Sequence, residues 1–338
     1  MNDTLVSFII PAYNASTTIV RCLDSIYNLN LKGSSYEVII IDDSSTDKTV
    51  EIIQSYSTTH PNITLLIQPE NHRQGAARNR GVSISHGKYI HFLDSDDELD
   101  SGIVSAITLA ERLSLDICLL KAKRVSTDQE VIKSYELPFD SDIVFGGIEF
   151  QEKYPFWCTA PWGYLFRKGF IEKVSYPFAE DVVYEDSDFV NVHLYNANRI
   201  SYINQCSYIM HENLASTTHT LSYKHISDYA LLGTRMLSFY NSLNNKESKF
   251  ASFILEGGSY NIMNSCKNLF KLKSKQEIRS FYDRFDTYAD RQSLLQYREP
   301  KYCWTNWTRF CLAYRKLATL VVSVAISYCQ AKQFITIR

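Results

Sequence analysis

Apolar runs and amphipathic segments alternate through the first part of the chain, and this alternation restricts the fold more than any other feature. Leu5 to Ile10 and Tyr36 to Ile41 are short apolar runs rich in isoleucine and valine, which are typical of buried parallel strands. Between them, Thr17 to Tyr27 repeats its apolar residues at helical intervals after the candidate caps Ser16 and Thr17. A strand, a helix and a strand in this order predict a right-handed βαβ unit.

The same alternation continues as far as residue 113 and predicts an open α/β sheet. Further helices are predicted at Thr46 to Tyr56, Gly75 to Ser85 and Gly102 to Leu113, and further strands at Ile63 to Ile67 and Tyr89 to Leu93. Ligands of such sheets bind beyond the carboxyl ends of the strands. The loops that begin at residues 11, 42, 69 and 94 are therefore candidate binding loops.

The pattern changes beyond residue 115. Strand-like runs at Ile117 to Leu120 and Ile200 to Met210 are separated by mixed sequence, in which a helix is predicted to start near Asp186. From about Tyr223 onward, apolar residues recur at helical spacing. We therefore expect one domain over residues 1–220, with a first part at 1–115 and a second at 116–220, followed by a helical region at 221–338.

Charge and cysteine usage exclude some classes of protein. The chain has 35 basic and 37 acidic residues, which argues against a nucleic-acid partner. Its eight cysteines form no CxxC pair, so free thiols in a reducing cytoplasm are expected. The first residues also lack the pattern of a signal peptide, which again favours a cytoplasmic protein.

Three carboxylates follow the predicted strand that ends near Leu93. Asp94, Asp96 and Asp97 would repel one another unless a cation offsets their charge. Mg²⁺ or Mn²⁺ prefers oxygen ligands and binds through one or two carboxylates while a phosphate completes its shell. The alternative is a solvated acidic turn before the helix that starts near Gly102.

Two other loops carry polar side chains. The loop from Asp42 to Asp47 either caps the next helix or accepts a hydrogen bond from the imide N–H of a base such as uracil. The segment from Asn71 to Gly81 is basic and enters a helix. Its helix N-terminus with Arg73 or Arg78 suits a diphosphate, and the alternative is an ordinary exposed basic helix.

Three positions in the second part of the domain are further candidates. The Glu185-Asp186 pair starts a predicted helix, where it complements the helix dipole or supplies a general base. Trp162 either stacks on a sugar ring or belongs to the core. His211 is either structural or reaches a diphosphate or metal.

In order and spacing, four motifs of the chain resemble those of the family-2 inverting glycosyltransferases with the GT-A fold. The motifs are Pro11 to Asn14, Ile41 to Asp47, Asn71 to Gly81 and Phe92 to Asp97. The resemblance continues through Pro161 to Gly163, Pro177-Phe178, Glu185 to Phe189 and Tyr208 to His211 with Ser216. It covers roughly residues 4 to 220 and implies an α/β fold with a Rossmann-like mixed sheet flanked by helices. Residues 1–115 would then bind a nucleotide sugar and residues 116–220 would form the acceptor side.

The resemblance also implies roles for single residues. It places Pro11 and Asp43 at the base, Asn71 and Arg78 at the nucleotide, Asp94 at the ribose or sugar, and Asp96 at the metal with Asp94 beside it. The other candidate substrate-binding residues are Tyr13, Ser95, Trp162 and His211. Asp186 is the implied catalytic base, with Glu185 as the second candidate.

The implied reaction moves a sugar from a nucleoside-diphosphate sugar, with UDP expected, to a hydroxyl of a glycan or lipid-linked acceptor in surface polysaccharide synthesis. Mg²⁺ or Mn²⁺ is the expected cofactor. Two alternatives from other classes are a nucleotidyltransferase and a catalytically inactive module that binds a nucleotide or glycan.

The last 38 residues differ from the rest in charge. Residues 301–338 contain six basic and no acidic residues, interspersed with aromatic ones. The uncharged stretch between Lys316 and Lys332 is 15 residues long, short of the about 20 that span a bilayer. The tail therefore predicts either a peripheral contact with the inner face of the plasma membrane, or a helix packed on the core or on a second copy of the chain.

Overall fold

A computed structural model describes residues 4–29, 31, 36–139, 142–154, 158–212, 222–272 and 274–287, with residues 308, 311, 313, 315, 316, 318, 319, 322 and 323. The chain divides into two compact units. The first, here called the sheet unit, comprises Met1–Asp181 and Glu185–Leu214, and the second, the helical unit, comprises Val182–Tyr184 and Ala215–Arg338. The predicted boundary at residues 220 and 221 falls outside the described residues.

Strands and helices alternate through the sheet unit. Its strands are β1 (Val6–Ala12), β2 (Tyr36–Asp42), β3 (Ile63–Ile67), β4 (Tyr89–Phe92), β5 (Glu98–Leu99), β6 (Ile117–Val125), β7 (Val131–Tyr135), β8 (Tyr164–Arg167) and β9 (Ile200–His211). Its helices are α1 (Ile19–Tyr27), α2 (Thr49–Ser57), α3 (Arg73–Ile84), α4 (Gly102–Leu113), α5 (Gly147–Lys153), α6 (Lys168–Val174) and α7 (Asp186–Asn196). The α/β class predicted from the sequence is confirmed.

All nine strands join one mixed sheet in the order β3-β2-β1-β4-β8-β6-β9-β5, with β7 paired to β6. Strands β3, β2, β1 and β4 are parallel, as expected for successive βαβ units. Strand β8 runs antiparallel to both β4 and β6, and β6 is parallel to β9. The carboxyl ends of β1, β2 and β4 therefore lie side by side.

Apolar runs account for the central strands. Every residue of β1 is buried, and β2 is buried except at Glu37, whose side chain is 17% exposed. Helix α1 begins at Ile19 rather than at the predicted Thr17, and the hydroxyl of its N-cap Thr18 donates to the carbonyl of Ala15 at 3.3 Å. The predicted caps Ser16 and Thr17 therefore lie before the helix.

Three long helices form most of the described part of the helical unit. They are α8 (Tyr223–Ser242), α9 (Lys249–Asn268) and α10 (Lys275–Asp286). Cys311, Ala318 and Val322 are buried in the same apolar cluster, and the Tyr282 hydroxyl donates to the Cys311 carbonyl at 3.2 Å. This part of the tail thus packs on the helical core, as one of the two predicted alternatives requires.

The rest of the basic tail, including the apolar face from Leu317 to Tyr328, lies largely outside the described residues. In the parts of the chain that are described, we find no helix that combines the length and apolar character needed to cross a membrane.

Candidate active site

The loops after β1 and β2 are joined to each other. The Asn14 side chain accepts a hydrogen bond from the Thr46 amide at 2.8 Å, and the Asn14 amide donates to the Ser45 hydroxyl at 2.9 Å. Asn14 and Ser44 have positive φ angles of 51° and 65°, which is uncommon for residues other than glycine. Such conformations persist where the surrounding contacts enforce them, often at functional sites.

Two predicted residues lie at the end of β1. Pro11 is buried within the strand, whereas the side chain of Tyr13 is 50% exposed just beyond it. An exposed aromatic ring beside the joined loops is available to a ligand.

Asp43 is buried and connects β2 to the start of α3. Its Oδ1 accepts hydrogen bonds from Gln68 Nε2 at 2.6 Å and from the His72 amide at 2.8 Å, and its Oδ2 accepts from the Arg73 amide at 2.7 Å. The Asn71 side chain donates to the Asp43 carbonyl at 3.1 Å. Two amides at the N-terminus of α3, those of His72 and Arg73, therefore donate to a carboxylate of the chain itself, although the sequence had suggested this helix N-terminus for a diphosphate.

The neighbouring Asp42 was not singled out from the sequence. Its Oδ2 accepts from the Ser45 amide at 2.9 Å, but its Oδ1 is buried and finds no hydrogen-bond partner among the described residues. Buried acceptors of this kind are rare and need a partner. Asp42 is therefore a candidate acceptor for the N–H of a ligand. The sequence pattern does not distinguish Asp42 from Asp43, whereas the unpaired Oδ1 atom of Asp42 does.

Arg78 is 2% exposed and contacts two carboxylates from distant parts of the chain. Its Nη1 donates to Glu185 Oε1 at 2.5 Å and its Nη2 to Asp94 Oδ1 at 2.9 Å. Burial opposes the charged form, but the charges of Asp94 and Glu185 outweigh it and raise the pKa of Arg78. The guanidinium group predicted to contact the nucleotide thus joins the loop after β4 to the start of α7.

Helix α7 begins at Asp186, as the sequence predicted. Burial and the charge of Glu185 raise the pKa of Asp186 from 3.8 to about 7, against the opposing charge of Arg78. A carboxylate with this pKa can hold or release a proton near neutral pH, as a general base requires.

Asp97 is engaged in hydrogen bonds within the protein and is not a candidate metal ligand. It is 3% exposed, and it accepts hydrogen bonds from the Tyr208 hydroxyl at 2.6 Å and the His211 amide at 2.8 Å. Burial and the charges of Asp94 and Asp96 raise its pKa well above the usual range. Asp97 therefore ties the acidic loop to β9, which leaves Asp94 and Asp96 as the candidate metal ligands.

His211 and Trp162 both contact other side chains of the protein. His211 Nε2 lies 2.6 Å from Glu98 Oε1, which also pairs with Arg21 Nε at 3.3 Å. Trp162 is 6% exposed and stacks on Tyr208 with ring centroids 4.9 Å apart. Because one face of the indole is covered and little of it is accessible, we assign Trp162 to the core and withdraw its predicted role in sugar stacking.

Asp94 and Asp96 are the residues that would hold a divalent cation together with phosphate. Asp94 and Asp96 carry carboxylates on either side of Ser95 in the segment after β4. Within the described ranges, no group of three or more histidine, cysteine or acidic side chains has a metal-binding arrangement. Mg²⁺ at phosphate sites usually needs only one or two carboxylates, so this pair suffices if phosphate oxygens complete the shell.

Comparison with known proteins agrees with this geometry. Residues 7–174 match the model of "Glycosyl transferase family 2". The chain is 30% identical over 246 residues to the uncharacterized glycosyltransferase EpsJ of Bacillus subtilis (strain 168), covering 70% of each chain.

Two solved structures have a similar fold. S. aureus TarS 1–349 in complex with UDP-GlcNAc gives a TM-score of 0.62 at 18% identity, covering 97% of this chain and 92% of that one. The mannosyltransferase PcManGT from Pyrobaculum calidifontis, in complex with GDP-Man and Mn²⁺, gives 0.52 at 15% identity, covering 95% and 87%. The sheet with its flanking helices is a GT-A fold, and the chain belongs to glycosyl transferase family 2.

Proposed function

We propose that this glycosyltransferase is an inverting enzyme that uses a UDP-sugar and glycosylates a hydroxyl of a glycan or lipid-linked acceptor in surface polysaccharide synthesis. The observation that carries the proposal is the contact of Arg78 with both Asp94 and Glu185. Through this contact the candidate base at the start of α7 lies beside the carboxylates of the candidate donor site, although Arg78 and Glu185 are 107 residues apart in sequence.

The donor would bind across the carboxyl ends of the parallel strands. Asp42 Oδ1 is a buried acceptor without a partner among the described atoms and would accept the imide N–H of uracil, with Pro11 and Asp43 supporting the loop. The predicted roles of Tyr13, Asn71 and Ser95 as donor contacts belong to this proposal. The complex of TarS with UDP-GlcNAc supports a UDP-sugar as the donor.

Asp94 and Asp96 would hold Mg²⁺ or Mn²⁺ together with the donor diphosphate. The cation, when bound, offsets the negative charge that develops on the leaving diphosphate. The complex of PcManGT with GDP-Man and Mn²⁺ supports such a cofactor. The protein would supply the carboxylates of Asp94 and Asp96, and the donor phosphates would supply further oxygen ligands.

Asp186 would act as the base. It accepts the proton of the acceptor hydroxyl while that oxygen forms a bond to the anomeric carbon. The bond between the anomeric carbon and the diphosphate oxygen breaks on the opposite face, so UDP leaves with the electron pair and the configuration inverts. Arg78 and Glu185 hold the start of α7 in place during this step.

Substitution of the base tests the reaction. We expect Asp186→Asn to lower UDP release by about 10²- to 10⁴-fold, while UDP binding measured by calorimetry persists because the donor contacts are elsewhere. Asp188→Asn is the matched control, since Asp188 lies on the same turn but pairs with Tyr176 at 3.0 Å. The assay measures UDP release from a panel of UDP-sugars with Mn²⁺.

Calorimetry with and without Mn²⁺ tests the metal site. Asp96→Ala should remove the Mn²⁺-dependent part of UDP binding, and Mn²⁺-dependent binding equal to that of the wild type would contradict the assignment. Full activity of Asp186→Asn, with Asp188→Asn also active, would show that another group is the base.

We also propose that the enzyme is cytoplasmic and touches the inner membrane face through its tail. Residues 301–338 contain six basic and no acidic residues, a composition that favours anionic lipid. Although part of the tail packs on the helical core and Arg315 pairs with Asp283 and Asp286, Lys316 is exposed. We expect the full-length chain to float with phosphatidylglycerol vesicles and Lys316→Glu to float less. Equal flotation of the two chains with phosphatidylglycerol vesicles would contradict an electrostatic contact, and so would flotation of the full-length chain that is as strong with phosphatidylcholine vesicles.

A further inference from the structure

A three-residue segment of the chain leaves the sheet unit just before the candidate base. Val182–Tyr184 belongs to the helical unit, whereas Asp181 and Glu185 belong to the sheet unit. Val182 is 1% exposed and Val183 is 9% exposed. The peptide bond between Tyr184 and Glu185 therefore links a buried segment of the helical unit directly to the proposed catalytic pair.

Asp228 on α8 holds this segment by its backbone. The Asp228 side chain is fully buried, and its Oδ2 accepts a hydrogen bond from the Val183 amide at 2.9 Å. Its negative charge is compensated by Arg284 Nη1, 2.9 Å from Oδ1, and by Lys224 Nζ, 3.3 Å from Oδ2. A buried carboxylate with cations beside both oxygens has little freedom to move, so it fixes the amide that it accepts.

The next residue is held by its side chain. The Tyr184 ring stacks on Tyr229 of α8 with centroids 5.1 Å apart and planes at 19°, and it meets His225 edge-on at 5.9 Å. Tyr184 has a φ of 65°, a conformation that a bulky residue adopts only where contacts impose it. The two residues before Glu185 are thus fixed, one by its amide and one by its ring.

Nothing in the proposed mechanism uses Asp228, yet its contact lies two residues before Glu185 and three before Asp186. We propose that Asp228 is a positioning residue for sugar transfer, which places the Glu185-Asp186 pair by fixing Val183 and Tyr184. The inference rests on the proposed function, because it takes Asp186 as the base. It gives α8 of the helical unit a residue that positions the catalytic pair through residues 182–184.

The test separates positioning from stability through the kinetic parameters of UDP release. A displacement of about 1 Å at a reacting group can cost about 10²-fold in rate, so we expect Asp228→Ala to lower kcat by about 10- to 100-fold. The dissociation constant of UDP should stay unchanged, since the donor contacts belong to the sheet unit. Asp228→Asn keeps an oxygen that can accept from Val183 and should recover much of kcat.

Ser265→Ala is the control for general damage to the helical unit. Ser265 is buried on α9, and its hydroxyl donates to the Ile226 carbonyl at 2.6 Å, a hydrogen bond that does not involve residues 182–184. It should lower the melting temperature but leave kcat close to that of the wild type at a temperature where the variant is folded. Tyr229→Ala removes the stacking partner of Tyr184 and serves as the second variant if Asp228→Ala does not fold.

An unchanged kcat in the folded Asp228→Ala or Tyr229→Ala chain would overturn the inference while leaving the proposed function intact. So would a loss of kcat in Ser265→Ala as large as that in Asp228→Ala, because the effect would then follow stability alone. A wild-type chain that releases no UDP from any UDP-sugar would instead overturn the proposed function, and the positioning role would fall with it.

Discussion

One guanidinium group, that of Arg78, is placed between carboxylates that the sequence separates widely. The partners Asp94 and Glu185 lie 16 and 107 residues away. Burying a charge is costly unless it is paired, and removing one partner of a buried pair leaves the other without compensation. The contact therefore contributes to stability as well as to the arrangement of the site.

We expect Arg78→Met to lower the free energy of unfolding at pH 8 by about 3–5 kcal/mol. Arg80→Met is the matched control, because Arg80 lies on the same helix but is exposed, and it should change stability little. Chemical denaturation of the metal-free chains measures both.

The stability lost in Arg78→Met should depend on pH, because the protonation of the neighbouring carboxylates changes with pH. The pKa of Asp186 is raised from 3.8 to about 7, so its contribution to stability is present below about pH 3.8 and is lost as the pH rises through about 7. Without Arg78, the carboxylates around it gain still more from protonation. Arg78→Met should therefore lose less stability at pH 5 than at pH 8, and a loss that does not vary with pH would contradict this account.

For single residues, the sequence indicated candidate chemical roles but not the contacts that the side chains make. The types and spacing of Asp94, Asp96 and Asp186 pointed to a metal and a base. The partners of Arg78 and Asp97 depend on chain segments about 100 residues away, and local patterns contain no information on such pairs.

Between elements, one close contact joins α3 to the segment that precedes α7. Phe178 and Asn79 exchange two hydrogen bonds of 3.0 Å, one in each direction. A Cβ atom added at Gly75 would lie 2.2 Å from the Ala179 carbonyl oxygen. Only glycine allows the backbone of this segment to lie so close to the helix.

Gly75→Ala should therefore destabilise the chain by about 1–3 kcal/mol, since backbone must shift to relieve the clash. Gly169→Ala is the control, because a Cβ at Gly169 on α6 would meet nothing within 4 Å. The melting temperatures of both variants, measured by thermal unfolding, test this prediction. Equal melting temperatures for the two would mean that the segment moves away at no cost.

Element boundaries followed the strength of the local pattern. Helix α4 has the predicted bounds because its apolar residues recur with a helical period, and β3 has them because it is a short run that is apolar except at Thr64. Strand β8 was not predicted. It is four residues long, and it is a strand because β4 and β6 pair with it on both sides, which is a property of the tertiary structure.

For the molecule as a whole, the sequence predicted the fold class and the helical C-terminal region but not the division of the chain. A single boundary near residue 220 assumes that each unit is continuous in sequence. Val182–Tyr184 breaks this continuity, because it belongs to the helical unit although residues of the sheet unit flank it in sequence. Its contacts with Asp228 and Tyr229 on α8 form only when that helix has formed.

The assignment of residues 182–184 to the helical unit affects how chimeras of such enzymes can be made. The family match ends at residue 174, which suggests a module that could be joined to any C-terminal region. A chimera cut near residue 214 would instead pair Val182–Tyr184 from one parent with the helices of another. We expect functional recombinants to inherit residues 182–184 and Asp228 from the same parent, so that the two segments vary together among relatives although 45 residues separate Val183 from Asp228.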